Sequence, residues 1–117
     1  MTLKEVYDEV QRQKPNAFTE AEITQWVSNI EIQIAREIYH VDSIEYSWTA
    51  DQNTELLMEA PFEDIYVLYV MAQIDFRNGD YSRYNNELSQ FDQRFTDAQA
   101  SYLRRHKPRR KWFRWFP

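Results

Sequence analysis

Four carboxylates in the middle of the chain are of the type that binds a metal ion or transfers a proton: Glu63, Asp64, Asp75 and Asp80. Both kinds of chemistry need acidic side chains held close together. Three of them have a simpler role. Glu63 and Asp64 stand near a predicted helix start and Asp80 precedes the next predicted helix, where a negative charge or a side-chain cap is favourable. For these three residues we favour the structural role.

Asp75 differs from the others because it lies between Ile74 and Phe76, in the most apolar stretch of the chain. Burying a carboxylate costs free energy unless a cation or hydrogen-bond donors compensate it. We therefore predict that Asp75 forms a structural ion pair with Arg83 or Arg77, and we favour this over a catalytic role.

The composition excludes several classes of site. With one glycine, Gly79, the chain cannot form a dinucleotide-binding loop, a Walker-type phosphate loop or a nucleophile elbow, which need two or more glycines. The absence of cysteine excludes disulfides, thiolate zinc sites and a cysteine nucleophile. His40 and His106 are far apart in sequence and have no ligand-like neighbours. We expect no enzyme activity, no cofactor, no metal and no small-molecule substrate.

Nothing in the sequence indicates a membrane or export signal. No stretch approaches the ~18 continuous apolar residues of a membrane span. The N-terminal sequence MTLKEVYD is amphipathic and unlike a signal peptide. We expect a soluble, intracellular protein.

The charge is divided between the body of the chain and its C-terminal end. Residues 104–117 hold seven of the 14 Lys and Arg and no Asp or Glu, so their formal charge is +7, and residues 1–103 carry −12. We call residues 104–117 the tail. Its candidate partner-binding residues are cationic or aromatic: Arg104, Arg105, Lys107, Arg109, Arg110, Lys111, Trp112, Phe113, Arg114, Trp115 and Phe116.

Three kinds of partner fit the tail. An acidic groove on another protein, for example the body of a neighbouring copy, would seat the aromatic rings and pair with the arginines. Nucleic acid would bind the cations through phosphates and the rings through bases. A membrane surface would take the same mixture at its interface. We rank them in that order, ahead of a solvated end, because exposed apolar clusters usually mark contacts.

Two helices are predicted in the first third of the chain. Thr2 and Glu5, and again Thr19 and Glu22, have the spacing of a capping box, in which each side chain bonds the other residue's free N–H. Apolar residues at helical spacing follow each of them, and Pro15 separates the two helices. The second helix is predicted to reach about residue 40.

Residues 41–60 break the helical period. Ile44, Tyr46 and Trp48 alternate with polar residues, and the alternation resumes at Leu56 and Met58 after a turn-forming Ala-Asp-Gln-Asn. This pattern predicts a short β-hairpin of residues 43–49 and 54–60, and a structured loop is the alternative.

Residues 61–102 are predicted to form two helices joined at Gly79. Pro61 suits the first position of the third helix, and Gly79 suits the left-handed residue that ends it. The stretch 61–78 is apolar on nearly every face and should be the centre of the core. After Asp80, apolar residues alternate at three- and four-residue steps, a seam that should pack antiparallel on the third helix: Tyr81, Tyr84, Leu88, Phe91, Phe95, Ala98 and Tyr102.

Residues 60–88, APFEDIYVLYVMAQIDFRNGDYSRYNNEL, resemble a segment of small structural proteins of tailed phages and prophages of Gram-positive hosts. The opening TLKEVY is also similar to their first helix. The class they resemble is the head–tail connector or adaptor, mainly helical proteins encoded near the portal and capsid proteins. The resemblance implies subunits that form a ring below the portal, and it carries no catalytic residues. The tail does not match the family.

The sequence therefore predicts a mainly α protein, a bundle of about four helices with a short β-hairpin between the second and third. Residues 1–103 are the helical domain and residues 104–117 the basic aromatic tail. We expect a non-enzymatic virion protein that self-associates and docks to portal or tail proteins, in the virion or the bacterial host cytoplasm. The alternative is a phage-encoded accessory protein that binds nucleic acid, such as DNA, through the tail.

Overall fold

The computed structural model describes residues 1–106, and this part of the chain is mainly helical, as predicted. Its elements in chain order are α1 (Leu3–Gln13), α2 (Glu20–Ile34), a π-helical segment (Ala35–Tyr39), α3 (Trp48–Asp51), α4 (Asp64–Arg77) and α5 (Tyr81–Arg105). The four longer helices correspond to the four predicted ones.

Both predicted capping boxes are present. The hydroxyl of Thr2 accepts a hydrogen bond from the Glu5 N–H at 3.2 Å, and the Glu5 carboxylate accepts one from the Thr2 N–H at 2.9 Å. Thr19 and Glu22 make the same pair of bonds at 3.1 and 3.2 Å. These side chains satisfy N–H groups that have no partner within the helix, which fixes where α1 and α2 begin.

The turn between α4 and α5 also follows the prediction. Gly79 has φ +77°, the left-handed conformation that ends a helix at little steric cost. The Asp80 carboxylate then accepts a hydrogen bond from the Arg83 N–H at 3.2 Å and caps α5. The prediction for Pro61 is wrong, because α4 begins at Asp64 and Pro61 lies in a turn of residues 59–62, closed by a hydrogen bond from the Phe62 N–H to the Glu59 carbonyl.

Helix α4 is the centre of the core, since α1, α2 and α5 all pack on it. Apolar side chains on several of its faces are fully buried, among them Ile65, Val70 and Ile74. Helix α5 runs antiparallel to it. The ring of Phe76 lies 5.1 Å from that of Tyr84 at one end, and the Arg94 guanidinium lies 3.1 Å from the Asp64 carboxylate at the other.

The predicted seam of α5 is buried along only part of its length. Phe91 and Ala98 are buried, whereas Tyr81 is 58% exposed. At 25 residues, α5 is longer than the 14-residue α4, so its last turns extend past α4. There Tyr102 packs against Tyr39 of the π-helical segment, with ring centroids 4.8 Å apart.

The predicted β-hairpin of residues 43–49 and 54–60 is wrong. Within residues 1–106 the β pairing consists of one isolated bridge, between Thr2 and Glu55, and Trp48–Asp51 is a helical turn. The backbone N–H groups of this segment bond elsewhere. The Tyr46 N–H donates to the Ser28 hydroxyl at 2.8 Å and the Leu56 N–H to the Met1 carbonyl at 3.0 Å. Residues 41–60 are thus a structured loop laid over α1 and α2.

Among residues 1–106, no helix combines the length and the apolar character needed to cross a membrane.

Candidate functional site

The root of the tail is fixed to the body of the protein. Arg104 and Arg105 are the last two residues of α5, so this helix continues past the predicted boundary at residue 103. The Arg105 guanidinium donates to the Glu59 carboxylate at 2.8 Å, and this bond raises the pKa of Arg105. His106 stacks on Tyr102 with ring centroids 4.0 Å apart. The tail therefore leaves the body at a defined point.

The other predicted partner-binding residues lie outside the described residues: Lys107, Arg109, Arg110, Lys111, Trp112, Phe113, Arg114, Trp115 and Phe116. Of the predicted set, the structure places only Arg104 and Arg105. Arg104 is exposed and Arg105 is held by Glu59.

A groove that the sequence did not indicate runs between α1 and α5, with α4 as its floor; we call it the α1–α5 groove. Val67, Leu68 and Met71 of α4 line its floor. Gln13 of α1 and Gln90 of α5 stand on opposite walls. The groove holds two adjoining cavities of about 480 and 580 Å³ that share Gln13 and Met71. An apolar floor between polar walls is the usual make-up of a binding cleft.

Charged groups of both signs stand at the end of this groove nearest to Met1. The Met1 amino group bonds the carboxylates of Glu55, at 2.9 Å, and Glu63. Arg94 bonds Asp64, and Gln93 on the α5 wall donates to Asp97 at 3.1 Å. Of the charged residues that line this cavity, Glu9 and Asp64 are acidic, and Arg94 and the Met1 amino group are cationic, so that the two signs balance.

A buried ionic cluster closes the other end of the groove. The Lys14 ammonium, at the end of α1, bonds the Asp75 carboxylate of α4 and the Glu87 carboxylate of α5, the latter at 2.9 Å. The predicted ion pair of Asp75 thus exists, but the partner is Lys14 and neither Arg83 nor Arg77. The prediction failed because it considered cations near Asp75 in sequence, and packing brings in a cation 61 residues away.

Two carboxylates compete for one ammonium in this cluster, and their pKa values move apart. Burial, together with the neighbouring Asp75, raises the pKa of Glu87 to about 7. Burial also acts to raise the pKa of Asp75, but hydrogen bonds with Glu87 and Lys14 outweigh it, so that the pKa of Asp75 is lowered. One Glu87 oxygen is buried with no hydrogen-bond partner among residues 1–106. At neutral pH Asp75 therefore carries the negative charge opposite Lys14.

A second buried carboxylate, Glu31 of α2, is fully enclosed and joins three parts of the fold. It accepts hydrogen bonds from the Tyr66 hydroxyl of α4 at 2.5 Å and from the Tyr46 hydroxyl at 2.9 Å. The Leu57 N–H donates to it at 2.8 Å, and the Met58 N–H donates to the Tyr66 hydroxyl at 2.9 Å. Burial raises the pKa of Tyr66, and the charge of Glu31 raises it further.

This arrangement suits a structural role for Glu31. Its two oxygens already accept three hydrogen bonds, which compensate the cost of burying the charge. Within residues 1–106 the Glu31 carboxylate is fully buried and lines neither cavity of the α1–α5 groove. Among residues 1–106, no group of three or more His, Asp or Glu residues has an arrangement that could hold a metal ion.

The sequence contained a signal for both buried clusters. Glu31 lies four residues after Val27 and three before Ile34, on the apolar stripe of α2. Lys14 lies four residues after Val10, on the apolar face of α1. A charged residue on an apolar stripe marks a buried polar contact, although the stripe does not say with which residue.

Comparison of the chain with protein-family models, with curated proteins and with solved structures gives no significant match.

Proposed function

We propose that this chain is a structural protein of a tailed phage or prophage, a head–tail connector subunit that self-associates and docks to portal or tail proteins. The observation that carries the proposal is the segment 60–88, whose sequence resembles that class of protein over about a quarter of the chain. The mainly helical fold of residues 1–106 agrees with the fold that the resemblance implies.

Residues of the segment 60–88 make contacts that hold the fold together. Tyr66 bonds Glu31, Asp75 bonds Lys14, and Gly79 makes the left-handed turn into α5. In the part of the chain that the structure describes, Tyr66, Asp75 and Gly79 line neither cavity of the α1–α5 groove. A segment whose polar residues hold the fold together supports a non-enzymatic role.

The surface supports association with other proteins. The α1–α5 groove is open along α4, and large apolar side chains elsewhere on the body are exposed, with Ile44 72% and Leu103 58% exposed. A cleft with an apolar floor is a common place for a partner to bind, whereas apolar residues exposed singly are normal on a protein surface. The opposite formal charges of the body and the tail would favour contact between copies. We place the protein in the virion or, before assembly, in the host cytoplasm.

The second candidate is an accessory protein that binds nucleic acid through the tail. It is favoured by one observation: Arg104 is exposed at the end of α5, where it begins a run of seven cations without an acidic residue. Such a protein would bind DNA with an affinity that falls steeply as salt rises.

The test is a pull-down with the tagged full chain from a phage-producing lysate of the host, treated with nuclease. Two full-length variants run beside it. One replaces the tail aromatics by Ala (W112A/F113A/W115A/F116A), and the other replaces Arg109, Arg110 and Arg114 by Ala. Captured proteins are identified by mass spectrometry, and assemblies of the purified chain are examined by electron microscopy.

Recovery of portal or tail proteins that survives nuclease, together with discrete oligomers of the pure chain, would support the connector. Loss of every partner after nuclease, with salt-sensitive binding of a DNA duplex that the Arg variant lacks, would favour the second candidate. A monomeric chain that captures neither virion proteins nor DNA would overturn both.

A further inference from the structure

We infer that the α1–α5 groove binds residues 111–116 of a second copy of this chain, Lys-Trp-Phe-Arg-Trp-Phe. The inference rests on the self-association proposed above and names the two surfaces that would carry it. We infer this ligand from three properties of the groove and the tail: their apolar surfaces, their charges and the distance that the tail can span.

The apolar character of the two surfaces matches. The floor of the groove is formed by Val67, Leu68 and Met71, and its two cavities of about 480 and 580 Å³ adjoin at Met71. The segment 111–116 carries four large aromatic side chains, which bury much area with few rotatable bonds. Methionine adapts its shape to aromatic rings and makes favourable sulfur contacts with them. The cavity with this apolar floor suits aromatic rings, whereas the second cavity is lined mainly by polar and charged residues, among them Lys14, Arg83 and Glu87.

The overall charges of the body and the tail are opposite. Residues 1–103 carry a formal charge of −12, and the charged residues that line the groove near Met1 balance one another. Residues 107–117 carry five cations and no carboxylate side chain. The polar amides of Gln13 and Gln90 on the two walls can bond an incoming backbone without opposing its charge.

The reach of the tail favours a second copy over the same chain. Helix α5 carries residue 106 away from the groove, about 18 Å along the helix axis from Arg94. The five residues from 106 to 111 span at most roughly 17 Å when fully extended. To fill its own groove, the segment would have to reverse and run back fully extended along α5. A neighbouring copy can present the segment without that constraint.

Binding of this kind is heterologous, because the tail of one copy enters the groove of the next. Each copy then has one donor surface and one acceptor surface, so that association gives a closed ring or an open chain, depending on the rotation between copies. This property supplies the test, since one surface can be removed from each of two variants.

Two full-length variants remove one surface each. The tail variant is W112A/F113A/W115A/F116A, and the groove variant is Q13R/Q90R, which places a cation on each wall. Gln13 and Gln90 are exposed on helices, where arginine is well tolerated. The matched control is Q25R/Q33R, which makes the same charge change at exposed positions of α2. Circular dichroism checks the fold of each, and sedimentation velocity measures association after nuclease treatment.

We expect the wild type and the Q25R/Q33R control to associate. The tail variant and the groove variant should each associate with a dissociation constant at least tenfold higher, as expected for the loss of aromatic anchors. An equimolar mixture of the two variants should form dimers, because each retains the surface that the other lacks. If the two variants had merely lost solubility or their fold, mixing them would not restore association.

The inference is overturned if the groove variant associates as tightly as the control, and that result would leave the proposed self-association standing. It is also overturned if the mixture forms no dimers. A wild-type chain that is monomeric at every concentration would overturn the inference and the self-association together, as would docking of the segment in its own groove.

Discussion

Replacing Tyr66 by Phe removes one hydroxyl from the centre of the protein and tests whether the Glu31 network holds the loop of residues 41–60 in place. The Tyr66 hydroxyl makes two bonds, donating to Glu31 at 2.5 Å and accepting from the Met58 N–H at 2.9 Å. The substitution leaves the ring, its packing and its volume nearly unchanged, so the effect reports on the hydrogen bonds.

The two lost bonds set the size of the effect. A hydrogen bond to a charged group contributes about 1.5–3 kcal/mol, and a buried donor left without a partner costs about 1–3 kcal/mol. In the variant Glu31 keeps the donors Tyr46 and Leu57, but the Met58 N–H has no acceptor. We expect a loss of about 3 kcal/mol in the free energy of unfolding, within a total of roughly 5–15 kcal/mol for a domain.

Urea unfolding of the full chain at 25 °C, followed by circular dichroism, measures this loss. The control is Tyr81→Phe, because Tyr81 is 58% exposed on the same pair of helices and its hydroxyl has no hydrogen bond within residues 1–106. A Tyr66→Phe variant as stable as the Tyr81→Phe variant would refute the reasoning. Tyr46→Phe should fall between them, because it removes one bond to Glu31 and leaves no buried N–H unpaired.

Three further predictions concern the ionic cluster of Lys14, Asp75 and Glu87 and the turn at Gly79. Lys14→Met should destabilise the protein by about 3 kcal/mol in urea unfolding, because it leaves Asp75 and Glu87 without their cation; Lys4→Met, at an exposed pair, should cost much less, and equal effects would contradict the cluster. Glu87→Gln should gain stability relative to the wild type as pH rises from about 4.5 to 7. Over this range Glu87 keeps its proton in the folded wild type, because its pKa is raised, but loses it in the unfolded state, so only the wild type loses the corresponding free energy of unfolding. A stability difference between the two proteins that stays constant with pH would contradict this. Gly79→Ala should lower the free energy of unfolding by about 1 kcal/mol, because residue 79 has a φ of +77°, and Gly79→Asn should lower it less. A Cβ at this position meets nothing within 4 Å. A much larger loss would therefore mean that backbone conformation is not the cause.

Local signals in the sequence predicted most of the helices correctly. Capping boxes, the glycine after α4 and the Asp80 cap act within a few residues, and the structure contains all of them. The prediction for Pro61 failed although its reasoning was also local. Proline tolerates both a helix start and a preceding turn, so its presence could not distinguish them.

The hairpin prediction failed for a different reason. Alternation of apolar and polar residues in 41–60 predicts that one side of the segment is buried, which holds for Leu56 and Met58 but not for Ile44, and it does not show what bonds the backbone. Here the acceptors are the Ser28 hydroxyl, the Glu31 carboxylate and the Met1 carbonyl, all distant in sequence. A loop held by side chains of α2 gives the same alternation as a strand held by a neighbouring strand.

The sequence predicted the chemical character of the tail but not the position of the groove. The tail stands out by composition alone, whereas the groove depends on how α1 and α5 are spaced across α4. Nothing in the residues of the walls, such as Gln13 and Gln90, distinguishes them from other exposed glutamines. A cleft between helices distant in sequence is a property of packing, which single-residue patterns do not contain.

The groove follows from the character of α4. A helix that is apolar on nearly every face needs cover on every side, and in the described chain α1, α2 and α5 supply that cover. Between α1 and α5 the cover is incomplete, so that Leu68 stays half-exposed above the buried Val67 and Met71. Residues 111–116 hold four large aromatic side chains. We propose above that a second copy of the chain supplies them as the missing cover.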